Sequence, residues 1–359
     1  MKHLRVLIAG GGTGGHVIPA LAIGRELVAR YGAELRYVGT ERGIETRLVP
    51  EAGFRLDLIH VGQLKNVSLK TKLNTLMDLP RGVLRCMDLL RSFKPDVVVG
   101  VGGYASGPAM LAAILLRVPT VAYEPNAVPG LANKLVGRFV SAAAVNFPQT
   151  TKYFRHAEVT GVPVRQEIFD VPPHHNGPPR LLVFAGSQGA RVFNEMMPQI
   201  VCALLDAVPG LSIVHQAGAR HVEATQAAYA ASGANPARWK VCAFLDDMPA
   251  QYAAADLVLC RSGSTVAELC AAGKAALLVP FPAAADDHQR KNAEVLAKAG
   301  AAVMRIEAGL TPDDLKTELV ELLLDPARLE EMGARAKAMA KPGAVEKIAA
   351  MVHRLGNRD

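Results

Sequence analysis

Leu4-Arg-Val-Leu-Ile-Ala9, running into Gly10-Gly-Gly-Thr-Gly-Gly-His16 and then into a helical period that begins near Val17, is the stretch whose reading decides the fold. A short apolar run closed by glycine reads as a strand buried on both faces, and parallel strands of that kind need helical crossovers to reach their neighbours. The same rhythm recurs at residues 35–39, 96–101, 120–123 and 142–145. After Gly161-Val-Pro163 and a Pro- and His-rich stretch at 171–179 it restarts, at 181–185, 212–216, 241–244, 257–260, 275–280 and 302–306. The expectation is an α/β chain of two Rossmann-like, doubly wound parallel-sheet domains, 1–162 and 163–340, facing a central cleft with ligands at the carboxyl ends of the strands. From Thr311 onward the pattern is helical, broken at Asp325-Pro326, and the terminal segment 341–359 is expected to pack back on the first domain.

Bulk properties narrow the function. A length of 359 residues exceeds one ordinary core and suits two. Cys86, Cys202, Cys242, Cys260 and Cys270 form no C-x-x-C pair, which points to reduced thiols rather than a zinc site or a disulfide framework. The apolar start is too short for a secretory leader, and no apolar run approaches the roughly 20 residues of a membrane span, so a cytosolic protein is expected. Residues 1–160 carry 20 Lys and Arg against 11 Asp and Glu, whereas the remainder carries 20 against 22. The basic half calls for an anionic partner: nucleic acid, an anionic membrane surface or a phosphorylated substrate. A single Trp and no arginine-rich run leave little for base stacking, which argues against nucleic acid.

The glycine loop Gly10 to His16 lets backbone N–H groups approach an anion at a helix start. It is not a P-loop, because no lysine follows, and not a NAD fingerprint, because Gly39-Thr40 stands where that motif places an acidic residue. Two more such loops follow strands, Gly100-Val-Gly-Gly-Tyr-Ala-Ser-Gly-Pro108 and Ala185-Gly-Ser-Gln-Gly-Ala190, and in the latter Ser187 with the backbone of Gln188 and Gly189 suits a phosphate. The adjacent acidic pairs Asp246-Asp247 and Asp286-Asp287 read as caps or turns rather than metal ligands.

In order along the chain stand GGTGGH (Gly11 to His16), GGYASGP (Gly102 to Pro108), EPNAVPG (Glu124 to Gly130), GVPVR (Gly161 to Arg165), AGSQGA (Ala185 to Ala190), CRSG followed by Glu268, and DHQRKNA (Asp287 to Ala293). This set resembles the MurG family of N-acetylglucosaminyltransferases. The resemblance implies the GT-B architecture and an inverting, metal-independent transfer from UDP-N-acetylglucosamine to the 4-hydroxyl of a lipid-linked muramoyl pentapeptide, with no cofactor. It implies that Thr13, Gly14 and Gly15 contact the donor, Asn126 the sugar and Arg165 the nucleotide. On the second domain it implies Ser187 at the diphosphate, the Leu245 backbone at uracil, Glu268 at the ribose, Gln289 at sugar hydroxyls, and Gln188, Asn194, Arg261, Ser264 and Thr265 in the substrate site. His16 is the first choice as general base, since an unperturbed imidazole titrates near working pH. Glu124 is the alternative, and Tyr104 positions the acceptor. The family's His-Glu-Gln-Asn stands here as Tyr123-Glu-Pro-Asn126, so nothing carries over for those two replaced positions. The rival enzymes are another GT-B protein acting on a different acceptor and a UDP-N-acetylglucosamine 2-epimerase; the GGTGGH and GGYASGP pair speaks against the epimerase.

A lipid-linked acceptor requires the enzyme to reach the cytoplasmic face of the membrane without crossing it. Leu76, Leu79 and Val83 interleaved with Arg81 and Arg85, together with Ile114 and Arg117, fit peripheral docking on anionic lipid, each nearby basic residue contributing about 1 kcal/mol. A core-facing helix with a solvated basic face accounts for the same pattern.

Overall fold

The structure is a computed structural model that describes residues 3–60, 69–173, 177–186 and 188–357, with the backbone course alone over 69–78. The chain divides into two compact units, Met1–Pro163 with Gly343–Asp359, and Val164–Pro342.

The first unit is built on β1 (Arg5–Gly10), β2 (Glu34–Gly39), β3 (Leu56–Leu58), β4 (Val97–Gly102), β5 (Thr120–Glu124), β6 (Ala142–Val145) and β7 (Ala157–Val159). They form one sheet in the order β3-β2-β1-β4-β5-β6-β7, and every pairing is parallel. Because each crossover carries a helix, both faces are covered, which is why Val6, Leu7, Ile8 and Ala9 are all buried rather than alternating. One face packs Gly14–Tyr31 and Ala344–Gly356 through Ile23, Leu27, Ile348 and Val352, and the other packs Leu69–Phe93 and Ser106–Leu115 through Leu89, Leu90, Ala109 and Met110. The last helix is pinned by Tyr31 stacked on His353 at 4.1 Å and by Arg354 to Glu158 at 2.8 Å.

The second unit repeats the plan with β8 (Arg180–Phe184), β9 (Ser212–Gln216), β10 (Trp239–Cys242), β11 (Leu257–Cys260), β12 (Ala275–Leu278) and β13 (Ala302–Met304), in the order β10-β9-β8-β11-β12-β13 and again all parallel. In both sheets the winding reverses at the first strand, between β1 and β4 in one and between β8 and β11 in the other. A strand pair where the winding reverses is the place where doubly wound sheets bind ligands.

Within the second core, His215 on β9 is fully buried and its Nδ1 meets the Tyr229 hydroxyl at 3.0 Å. Burial disfavours the charged imidazolium and lowers the pKa to about 3. The unfolded chain therefore binds the proton more readily than the folded one below the ordinary histidine value near 6.5. Above that pH both states are neutral and the full stability is present. Chemical denaturation should show this unit losing up to about 1.4 kcal/mol per pH unit from this one residue as pH falls below about 6, on top of any other titrating groups. His215→Leu should flatten that slope.

Candidate active site

At the head of the first sheet the loops leaving β1 and β4 lie backbone against backbone. The Gly11 N–H donates to the Gly102 carbonyl at 3.3 Å, and a Cβ on Gly103 would collide with the Gly11 carbonyl. Gly12, Gly102 and Gly103 take left-handed φ values of 91°, 94° and 82°. Thr13 is the extended N-cap of Gly14–Tyr31, so Gly14, Gly15 and His16 form its first turn, which contains no acidic residue. Unpaired N–H groups at such a terminus favour an anion.

The ring of His16 is fixed by its Nδ1, 3.1 Å from the Gly11 carbonyl and 3.5 Å from Thr13 Oγ1. A carbonyl can only accept, so Nδ1 carries the proton in the neutral ring and the lone pair lies on Nε2, a tautomer assigned from this hydrogen bond. Tyr104, 41% exposed, follows Gly103 on the neighbouring loop.

Glu124 departs from the sequence expectation. It is buried at the end of β5, and both oxygens are saturated by N–H donors. Oε1 accepts from Asn126 N at 3.0 Å and Asn126 Nδ2 at 2.9 Å; Oε2 accepts from Gly130 N and Asn133 Nδ2, both at 3.0 Å. Burial raises its pKa, opposed by those same hydrogen bonds. Its lone pairs are committed to the loop that carries Asn126, which this carboxylate holds in place.

In the second unit the corresponding loops leave β8 and β11. Ser187 lies outside the described residues. Gln188 and Gly189 precede the helix Arg191–Ala207, and Gly189 at φ 69° sits so close to the Ala217 carbonyl that a Cβ would strike it. Asn194 donates to that same carbonyl at 3.0 Å. After β11, Ser264 and Thr265 open the helix Thr265–Ala272, with Ser264 exposed. Glu268, on its first turn, accepts the Tyr252 hydroxyl at 2.9 Å, and burial raises its pKa while Tyr252 and the nearby Arg165 lower it. Arg165 itself is exposed at the N-cap of the short helix Gln166–Phe169. Leu245 is half-buried in the loop after β10. Gln289 accepts the Phe281 N–H at 3.0 Å, and its own carbonyl accepts Ser262 Oγ at 2.8 Å, so Gln289 is tied to both flanking loops.

Arg261 is a second correction. Its guanidinium turns inward, bonded to the Val279 and Pro280 carbonyls at 2.9 and 3.1 Å, paired with Glu307, and set over the rings of Phe193 and Phe281. These contacts tie it to the 279–281 loop. Val83 is the third: it is buried in the core beside Leu89 and Leu90, so it cannot belong to a membrane-facing stripe. Leu76 lies among the residues whose side chains are outside the described set, and Leu79 and Ile114 are half-buried. Reading the sequence missed Glu45, Asn133 and Tyr252, which hold the glycine loop, Glu124 and Glu268 respectively. Asp247 caps Met248–Ala254 by accepting the Ala250 N–H, and among the described residues no three His, Cys, Asp or Glu side chains gather as a metal site.

The sequence pattern of the glycosyltransferase family 28 N-terminal domain matches residues 6–145 and that of its C-terminal domain residues 180–348. With the two sheets above, these halves define a two-domain glycosyltransferase of the GT-B fold. A protein of Anaeromyxobacter sp. (strain Fw109-5), the UDP-N-acetylglucosamine--N-acetylmuramyl-(pentapeptide) pyrophosphoryl-undecaprenol N-acetylglucosamine transferase, is 46% identical over 96% of this chain and 92% of its own. The protein of the same name from Syntrophotalea carbinolica is 43% identical over 96% of this chain and 97% of its own. The crystal structure of Acinetobacter baumannii MurG superposes with a TM-score of 0.84 at 34% identity, covering 98% of this chain and 99% of that one. The chain belongs to the MurG family. A putative UDP-N-acetylglucosamine 2-epimerase from Listeria monocytogenes, with TM-score 0.71 at 16% identity and covering 100% of this chain and 98% of its own, shares the fold alone.

Glu124→Gln would present an NH2 group to donors where an oxygen now accepts. It should lower stability by about 2 kcal/mol, read as a fall of roughly 4–8 °C in the melting temperature of the first unit.

Proposed function

We propose that this chain transfers N-acetylglucosamine from UDP-N-acetylglucosamine to undecaprenyl-diphospho-N-acetylmuramoyl-pentapeptide, forming the disaccharide lipid precursor of peptidoglycan. The family membership supplies the donor and acceptor, and the observation that carries the chemistry is His16, held through Nδ1 with its lone pair on Nε2. Nε2 takes the proton of the acceptor 4-hydroxyl as that oxygen attacks the anomeric carbon from the face opposite the leaving group. The bond from that carbon to the diphosphate breaks, its electron pair leaves with UDP, and the anomeric configuration inverts.

Charge accumulating on the leaving diphosphate suits the Gln188 backbone N–H with Ser187, and the helix start at Thr265, in place of a cation, while the Gly189 N–H is taken by the Gly186 carbonyl at 3.1 Å. Glu268, steadied by Tyr252 on Oε2, retains the acceptor capacity for a ribose diol, and Arg165 suits the nucleotide's negative charge. Thr13, Gly14, Gly15 and Asn126 suit the donor sugar and the acceptor diphosphate, and Tyr104 the acceptor ring.

Transfer of labelled N-acetylglucosamine onto a lipid-linked acceptor analogue tests the reading directly; release of free sugar or its epimer without transfer would refute it. His16→Ala should lower kcat by about 10²- to 10⁴-fold while the KM for the donor stays within about threefold. A raised KM with intact kcat would make the histidine a loop support instead.

Peripheral binding to an anionic membrane is the second element of the reading. Among the described residues no helix is long and apolar enough to cross a bilayer. On mutually packed helices of the first unit and the turns that follow them, Leu84, Leu115, Leu135 and Phe139 are 60%, 60%, 67% and 70% exposed, and Arg81, Arg85, Arg117, Lys134 and Arg138 are exposed on the same segments. Apolar side chains that enter the acyl boundary beside cations that stay at the headgroups are the makings of a docking face. The double substitution Leu115→Glu with Leu135→Glu should abolish co-flotation with anionic vesicles and leave turnover of a water-soluble acceptor unchanged. Undiminished flotation would rule this face out.

A further inference from the structure

Glu45 opens the short helix Glu45–Glu51, yet it is 1% exposed. Its side chain is enclosed by Gly11, Gly39 and Gly43: an added Cβ would fall on the carboxylate at Gly11 and Gly43 and on the Cγ methylene at Gly39. None of these glycines has a left-handed φ. Their lack of a side chain is therefore explained by the Glu45 side chain and not by the backbone. Oε1 accepts from Thr40 N at 2.9 Å and Thr40 Oγ1 at 3.0 Å, and Oε2 accepts from Gly12 N at 2.7 Å. The last bond has the short length of a charge-assisted one.

The Gly12 N–H and the Gly11 carbonyl belong to one peptide group. The first donates to Glu45 Oε2, and the second accepts from His16 Nδ1 at 3.1 Å. Carboxylate, peptide and imidazole thus stand in a line of two hydrogen bonds. An anion at the N–H end of an amide draws electron density toward its oxygen, which strengthens the bond at the carbonyl end. A carboxylate that touches imidazole directly selects the tautomer and stabilises the imidazolium; here one peptide plane is interposed.

We propose that Glu45 is a positioning residue for His16, acting through the peptide group that joins Gly11 to Gly12. Its carboxylate fixes and polarises that peptide, the carbonyl holds the proton on Nδ1, and Nε2 keeps the lone pair that accepts the hydroxyl proton. The inference rests on the reading of His16 as the base.

Ring 15N shifts of histidine-labelled protein report the tautomer. His16 in the unmodified protein is expected to carry its proton on Nδ1, and Glu45→Gln to shift it toward a mixture of the two tautomers. Protonation on Nε2 in the unmodified protein would overturn the proposal whether or not the variant folds. In steady-state assays Glu45→Gln should lower kcat by about 10- to 100-fold, the scale seen when a partner behind a functional imidazole is lost, with the donor KM within about threefold. In a His16→Ala background the same substitution should change kcat by less than about twofold, because its effect passes through the imidazole. Equal losses in both backgrounds would make Glu45 a support of the loop and overturn the proposal. Full kcat in His16→Ala would instead overturn the assignment of the base, a failure the tautomer measurement separates from that of Glu45.

Discussion

The site of the first unit depends on one close approach. Where β1 and β4 leave the sheet side by side, Gly11 donates to Gly102, and Gly103 crowds the Gly11 carbonyl so closely that no Cβ fits. That carbonyl also holds His16, and the next N–H is held by Glu45. The peptide group is gripped on three sides, so the imidazole at the helix start inherits its orientation from backbone and not from a flexible side-chain contact. Preorganisation of this kind matters because a reacting group misplaced by about 1 Å can cost a hundredfold in rate. In the second unit Gly189 and Gly218 meet the carbonyls of Ala217 and Gln188 in a similar way after β8 and β9, which fixes the loop that opens the helix Arg191–Ala207.

The parallel sheets were legible because each long strand is buried on both faces, leaving an uninterrupted apolar run such as Val97-Val-Val99 ahead of its glycine. β3 and β7 left no such trace. Each is three residues long and largely half-buried or exposed, so Leu56-Asp-Leu58 and Ala157-Glu-Val159 read as loop. Glycine loops were legible for a related reason: backbone that must approach backbone or anion writes its demand directly into residue type.

Side-chain roles were legible only where the motif and the direction of the chain agree. Nothing local in Glu41-Arg-Gly-Ile-Glu45 marks its last residue as buried, because the enclosure comes from glycines in three different segments. Tyr252 reads as an apolar helix position until Glu268 is brought to its hydroxyl by the fold. Arg261 sits in a loop that suggests an anion, but carbonyls of the neighbouring strand end and a pair of aromatic rings claim it first. For Val83, periodicity identifies a stripe on a helix without saying which side is core, and Leu84, one residue on, is the exposed one. Net charge carries the same ambiguity: Lys274 counts toward the basic total, yet it is buried with its ammonium on the Pro173 carbonyl.

The helix Ala344–Gly356 belongs to the first unit although the whole of the second is encoded before it. On a ribosome, the sheet of the first unit is complete while Ile23, Leu27 and their neighbours still lack the cover that Ile348, Val352 and Leu355 provide. At translation rates of roughly 5–20 residues per second that apolar surface waits some 10–40 s for its last helix. A nascent chain in this interval has an unfinished core. Any fusion or truncation that removes the terminal helix would make that transient exposure permanent.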